Sequence, residues 1–302
     1  MLLKAPSKLN LTLRILSKRA DGYHEILSRM QAICLYDEVE IVVSRNPVIA
    51  CSEQQSRIQI KTNSPCLPDG PENLAWKAAA LTVKELAGEP QNISIEINIV
   101  KNIPIGAGLG GGSADAAAVI LGIANTLSPE TGISELAALG AGIGADVPFC
   151  IYSCAAANPI LGYEGFGSAV AGGIGEQLDP EQPERKARVI LVKPDISVNT
   201  KEAYALYDAM QSGKPSVSEN DLEGLCSASR PLVTEIVKSL KKLCEEEGAG
   251  EAKVQLTGSG PTVFIYLSEE RFGDETGKLA EDICEKVKVL YKDCFVYLTE
   301  TL

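Results

Sequence analysis

The sequence predicts an α+β chain of two domains, on three observations. Its 302 residues exceed what one hydrophobic core usually fills. Apolar runs with a period of two stand beside stripes of helical spacing in both halves. Between them, Asn102 to Asn125 reads NIPIGAGLGGGSADAAAVILGIAN, a glycine loop entered from the period-two run Ile93 to Val100 and left through an Ala-rich apolar segment: strand, loop, helix.

In chain order, residues 7 to 16 alternate, with Leu9, Leu11, Leu13 and Ile15 on one face and Lys8, Asn10, Thr12 and Arg14 on the other. Taken alone, that polar face reads as the solvated side of an antiparallel sheet. Asp21-Gly22 marks a tight turn, followed by Tyr23 and the single histidine, His24. An aromatic face beside a ring that donates and accepts hydrogen bonds can grip a flat heteroaromatic base, although a partly buried Tyr with a satisfied His is the plainer use. Residues 37 to 43 and 57 to 62 read as strands, with a polar segment between them. Residues 71 to 88 predict a helix with Asn73 as N-cap and Gly88 past its end.

Beyond the glycine loop, Ser134 to Ile143 has helical spacing and breaks at Gly140, Gly142 and Gly144. Pro148 then biases Val147 away from helix, which projects Asp146 from a stiff junction. Residues 154 to 175 are rich in Gly and Ala with little periodicity, and the domain boundary is placed there, giving residues 1–165 and 166–302. A strand at Ala187 to Val192 opens the second half. Asn199 to Met210 predicts a helix in which Asn199 and Glu202 resemble a capping box and Thr200 and Tyr204 lie one turn apart. Gln211 to Asp221 reads as a polar loop. Pro231 to Glu247 predicts an amphipathic helix with Leu232, Val233, Ile236, Val237, Leu240 and Leu243 on its stripe, ended by Gly248. Leu256-Thr257-Gly258-Ser259-Gly260-Pro261 joins two apolar runs as a hairpin turn or a substrate-facing loop. A helix near 275 to 290 and a strand at Cys294 to Thr299 complete the chain.

Composition narrows the function classes. With 28 basic and 40 acidic side chains the net charge is −12, which disfavours a nucleic-acid or anionic-membrane partner and reads as solubility. Nine cysteines without C-x-x-C pairing suit a reducing cytoplasm, and Cys150 and Cys154 read as core residues. The start has no long apolar core, and no run reaches the length of a membrane span.

The glycine loop carries the chemistry. Gly106, Gly108, Gly110, Gly111 and Gly112 remove the Cβ atoms that would hold a ligand off, permit φ > 0, and let several N–H groups turn toward one anion at a helix N-terminus. Gly106, Gly108 and Gly111 also satisfy G-x-G-x-x-G, but the acidic residue a dinucleotide fold expects about 20 residues on is replaced by a helical pattern. No Lys follows the glycines, as a Walker A loop requires.

Taken as a set, Pro104 to Ala114 resembles the phosphate-binding motif of the GHMP kinases, the superfamily of galactokinase, homoserine kinase and mevalonate kinase. Ser7-Lys8-Leu9-Asn10-Leu11 resembles their first motif and Leu256 to Gly260 their third. Asp21 to Glu25 and Gly144 to Phe149 resemble the branch that phosphorylates a cytidylylated alcohol in isoprenoid synthesis, with mevalonate-type or homoserine-type kinases as the alternative.

That resemblance implies a GHMP kinase fold with an ATP-binding domain over 1–165 and a smaller substrate domain over 166–302. It implies ATP as phosphoryl donor, Mg²⁺ with protein ligands left open, a tertiary hydroxyl as acceptor, and a monomer or weak homodimer. Lys8 and Asp146 match the catalytic pair. Pro104, Ile105, Gly106, Ala107, Gly108, Leu109, Gly110, Gly111, Gly112, Ser113 and Ala114 match the ATP loop. Tyr23 and His24 match the residues that hold cytosine, Asn10 lies where the family contacts substrate, and Thr200 and Tyr204 match a threonine and a second stacking aromatic. Cys150 to Gly175 departs from the family by being longer.

Overall fold

The computed structural model describes residues 1–45, 57–87, 93–181, 186–210, 218–224 and 230–302. Gly88, the polar segment over 46–56 and residues 211–217 of the expected polar loop lie outside them. Two compact units organise the chain. The first comprises Met1–Ser7, Leu35–Ile103 and Gly110–Gly167, and the second Lys8–Cys34, Pro104–Leu109 and Ser168–Leu302.

Two long strands, β1 (Leu2–Lys18) and β2 (His24–Arg45), pair with each other and contribute to both units. The strand expected over 37 to 43 is the second half of β2. In the first unit that half runs antiparallel to β4 (Ile93–Val100), with Glu38 opposite Val100 and Arg45 opposite Ile93. On its other side β4 lies parallel to β3 (Arg57–Thr62). The alternation in β4 is obeyed: Ile93, Ile95, Ile97 and Ile99 are buried, while Glu96 and Val100 face outward.

Helices α1 (Leu74–Ala87), α2 (Gly111–Leu127), α3 (Ile133–Ala141) and α4 (Val147–Ala157) fill this unit's core. Asn73 caps α1, its Oδ1 accepting from the Ala75 N–H at 2.9 Å. Every residue of α2 from Ala114 to Ala124 is buried, which explains its small side chains. At Gly122 a Cβ would stand 2.8 Å from Ile41 Cδ1, so the helix lies against β2 only because that atom is missing.

Two expectations fail here for packing reasons. Gly140 stays inside α3, because a Cβ there would meet Val147 and Ile151 of α4 at 2.8 Å. Val147 begins a helix, although Pro148 biases the residue before it toward extended backbone. Proline is tolerated in a first turn, where its missing N–H has no intrahelical partner, and burial of Val147, Phe149, Cys150 and Ile151 decides the outcome. Past Asn158 and a 3₁₀ turn at Pro159–Leu161, the Gly/Ala-rich segment runs back along α4. Tyr152 stacks on Phe166 at 4.4 Å, and a Cβ on Gly165 would fall 2.3 Å from the Tyr152 carbonyl oxygen.

In the second unit, Gly22 takes φ +88° in the expected turn, closed by Arg19 N–H to Tyr23 O at 2.8 Å. Strand β5 (Ser168–Gly172) pairs with the first half of β2, and β6 (Gln177–Pro180) with β5. After β7 (Ala187–Lys193) come α5 (Thr200–Met210), α6 (Pro231–Glu246), β8 (Lys253–Leu256), β9 (Val263–Ser268), the single turn α7 (Glu269–Phe272), α8 (Thr276–Leu290) and β10 (Phe295–Glu300). An antiparallel sheet of order β10-β7-β9-β8 packs on α6 and α8. Asn199 caps α5 by accepting from the Lys201 N–H. The stripe on α6 is Val233, Ile236, Val237, Leu240, Leu243 and Cys244, whereas Leu232 faces solvent. No helix among the described residues is long and apolar enough to cross a membrane.

Candidate active site

The loop from Pro104 to Ala114 is shaped by glycines the sequence requires. Gly106, Gly108 and Gly110 take φ of +64°, +77° and +73°, a region that side chains disfavour. Gly110 caps α2 without any side-chain hydrogen bond, and the first intrahelical bond is Ala114 N–H to Gly110 O. The N–H groups of Gly111, Gly112 and Ser113 therefore lack intrahelical partners, the arrangement that receives an anion at a helix mouth. Within the second unit the loop is tightly seated. Leu109 O accepts from the Lys8 N–H at 2.9 Å, and a Cβ on Gly108 would stand 2.8 Å from Thr257 O and 3.0 Å from Gly260 O. Gly108→Ala is expected to raise KM for ATP about tenfold or more, since positive φ and a backbone clash both oppose it. Steady-state kinetics with ATP varied checks this, and an unchanged KM would mean that the loop accepts a side chain.

The polar face of β1 is not solvated, as the strand alone implied. Lys8 and Asn10 are 5% and 4% exposed. Lys8 Nζ donates to Asn10 Oδ1 at 2.7 Å, Asn10 Nδ2 donates to Ser28 Oγ at 2.7 Å, and Ser28 Oγ donates to Thr12 O. Burying an ammonium is unfavourable without such partners, so the network holds Lys8 in place. The hairpin turn between β8 and β9 completes this cluster: Asn10 N–H donates to Thr257 Oγ1 at 2.9 Å, and Thr200 Oγ1 lies 3.1 Å from Ser259 Oγ. The structure thus brings Lys8, Asn10, Gly108 and the third motif together in one unit.

In the first unit, Asp146 heads α4 with φ −81° and ψ −15° and does not cap that helix with its side chain.

His24 is buried and its ring stacks on Tyr204, with centroids 5.0 Å apart and planes 26° apart. Tyr207 meets the same imidazole edge-on. Nε2 lies 2.8 Å from Asp208 Oδ1, and a carboxylate only accepts, so Nε2 carries the hydrogen. Lys18 Nζ donates to the other Asp208 oxygen, and Lys18 first, then His24, pulls the Asp208 carboxyl below its ordinary range. Sequence reasoning missed Tyr207 and Asp208, although helical spacing carried the signal: Asp208 follows Tyr204 by one turn, as Tyr204 follows Thr200. Tyr23 is 59% exposed.

A second buried group lies in the first unit, where Lys101 Nζ pairs with Asp37 and, at 2.7 Å, with Asp115 Oδ2 in the second turn of α2. Asp37 Oδ1 also accepts from the N–H groups of Asn102 and Ile103. Asp115 is 3% exposed, and among the described residues its Oδ1 has no hydrogen-bond partner. Burial raises the Asp115 carboxyl, Lys101 lowers it and Asp37 raises it, with a result of about 7. Burial alone would lower the Lys101 ammonium, but the two carboxylates outweigh it and raise it. Lys101 Nζ would come 3.3 Å from a Cβ on Gly111, so this buried group lies directly against the first turn of α2. Cys150 and Cys154 are fully buried, and burial lifts the Cys154 thiol to about 12, as suits core residues.

Comparison with known proteins gives these clusters a context. The GHMP kinases N terminal domain family matches residues 73–154. A Clostridium tetani 4-diphosphocytidyl-2-C-methyl-D-erythritol kinase is 37% identical over 320 residues, covering 100% of both chains. A Geobacter sulfurreducens protein of the same name is 34% identical, covering 89% of this chain and 90% of its own. A solved structure of a 4-(cytidine 5'-diphospho)-2C-methyl-D-erythritol kinase superposes with a TM-score of 0.69 at 28% identity, covering 100% of this chain and 99% of that one. At this identity over full length, with the three motifs in place, the chain belongs to the 4-diphosphocytidyl-2-C-methyl-D-erythritol kinase family of the GHMP kinases.

Proposed function

We propose that this protein transfers the γ-phosphoryl group of ATP to the 2-hydroxyl of 4-diphosphocytidyl-2-C-methyl-D-erythritol, giving the 2-phosphate and ADP in the methylerythritol phosphate route of isoprenoid synthesis. The observation that carries the reading is Gly108 seated on the Thr257 to Gly260 turn beside the buried Lys8–Asn10 pair. The Gly108 part of the loop and a desolvated ammonium then belong to one cluster. Relatives of the same name across the full length support the choice of acceptor.

Phosphoryl transfer asks mainly for alignment and charge stabilisation. Residues 104–114 cradle the phosphate tail with main-chain N–H groups. Lys8 stabilises charge on the transferring group, and Asp146 takes the hydroxyl proton. Mg²⁺ carried on the nucleotide would supply neutralising charge there, with phosphates and water filling most of its shell, since among the described residues no group of three or more His, Cys, Asp or Glu side chains is placed to hold a metal ion.

Tyr23, His24 and Tyr204 are assigned to the cytidine end, remote from the reacting atoms, and Thr200, 3.1 Å from Ser259 of the third motif, to a substrate contact beside that turn. A tertiary alcohol is a crowded nucleophile, and binding energy collected far from it can hold it in line. Tyr23 is exposed, so Tyr23→Ala should leave the fold intact and raise KM for the cytidylylated substrate about tenfold, the scale of one lost stacking contact. An unchanged KM would remove Tyr23 from the base site. The reading as a whole is tested by ADP release with ATP and each of three acceptors: the cytidylylated methylerythritol, mevalonate and homoserine. Release that depends on the first alone is expected, and comparable turnover of either other alcohol would overturn the assignment.

A further inference from the structure

The segment Ser218–Gly224, which no motif marks, is fastened to β1 at several points. Leu13 N–H donates to Glu219 O, and Asp221 N–H donates back to Leu13 O. The Asp221 carboxylate accepts from the Ile15 N–H at 2.8 Å and from Arg14 at 2.9 Å. From this anchored segment Asn220, with no exposed surface, reaches the third motif: its Nδ2 donates at 2.9 Å to both Leu256 O and Gly258 O. Its Oδ1 accepts from the Leu222 N–H, so both donor hydrogens and an acceptor lone pair are engaged. Glu223 adds a third tie to that motif, accepting from the Leu256 N–H at 2.9 Å.

The two carbonyls that Asn220 holds bracket Thr257, whose Oγ1 accepts from the Asn10 N–H. A Cβ on Gly258 would lie 3.2 Å from Asn10 Oδ1 and 3.9 Å from Lys8 Nζ. The turn therefore touches the pair that presents the ammonium. These contacts close a ring: β1 at residues 13 to 15, the 218–224 segment, the turn at 256 to 258, and β1 again at Asn10.

We infer that Asn220 is a positioning residue for the reaction, fixing the turn that sets Asn10 and, through Asn10, the place of the Lys8 ammonium. The inference rests on the reading that Lys8 stabilises the transferring phosphoryl group. Asn220 touches neither substrate, so its loss should act on turnover rather than on binding.

A double-mutant cycle on the full-length chain tests this, with kcat and both KM values measured for wild type, Lys8→Met, Asn220→Ala and the double variant. Asn220→Ala should lower kcat about 10- to 100-fold, the scale of a misplaced catalytic group, with both KM values kept within about threefold. On the Lys8→Met background the same change should alter kcat by less than about threefold, because the group it positions is gone. Equal factors on both backgrounds would overturn the inference, since a loss of folded enzyme multiplies through the cycle. A large rise in KM without loss of kcat would overturn it as well. Lys8→Met with wild-type turnover would overturn the reading of Lys8, a result visible in that single variant alone. If Asn220→Ala fails to fold, Thr257→Val removes the acceptor for Asn10 without changing volume and must show the same non-additivity with Lys8→Met.

Discussion

Asp146→Asn is expected to lower kcat about 10³-fold, within the range measured for loss of a general base, while ATP binds as before. The substitution keeps shape and removes only the negative charge and the basic oxygen. The first hydrogen bond of α4 uses the backbone carbonyl of Asp146, donated to by the Cys150 N–H at 3.0 Å, and the side chain adds no cap. Calorimetric titration with a non-hydrolysable ATP analogue should give the wild-type affinity. Such a separation would place Asp146 on the hydroxyl side of the reaction rather than in the nucleotide site. Turnover within about tenfold of wild type would show that the proton leaves the hydroxyl without help from this carboxylate.

What could be read from the residues divides by range. Features fixed by neighbours in sequence were legible: the alternation of β4, the Asn73 cap, the left-handed Gly22, the stripe of α6 and the glycine loop before α2 all follow from spacing within a few residues. Features fixed by distant partners were not. His24 and Asp208 are 184 positions apart, and Lys101 reaches Asp37 across 64. The polar face of β1 looked solvated because nothing local says that the turn at Thr257 covers it. Helix α4 was hidden by Pro148, where a local bias lost to burial of the residues around it. For the site, resemblance supplied the residues of the three motifs. The supporting side chains Ser28, Asn220, Lys101 and Asp208 carry no motif and appear only through their contacts.

Lys101→Met should destabilise the protein by about 3–5 kcal/mol, the range for breaking a buried ion pair from one side. Methionine is close to lysine in length, so packing is largely kept while Asp37 and Asp115 lose the ammonium between them. For a chain of this size the loss corresponds to a fall of about 10 °C in melting midpoint. The pH dependence gives an independent check on Asp115. Its carboxyl is raised from 3.8 to about 7, chiefly by burial, so between those values the native state holds a proton that the unfolded chain has released. The sign follows: this stabilisation is complete below pH 4 and is lost as pH rises through 7, with a slope of at most about 1.4 kcal/mol per pH unit. Denaturant unfolding of wild type and Asp115→Asn at pH 5, 6, 7 and 8 should show the wild type losing ground to the variant as pH rises. Parallel curves would mean that the Asp115 carboxyl titrates alike in both states. A decline confined to the wild type would show that the second turn of α2, behind the phosphate loop, carries a carboxyl that burial keeps protonated at mildly acidic pH.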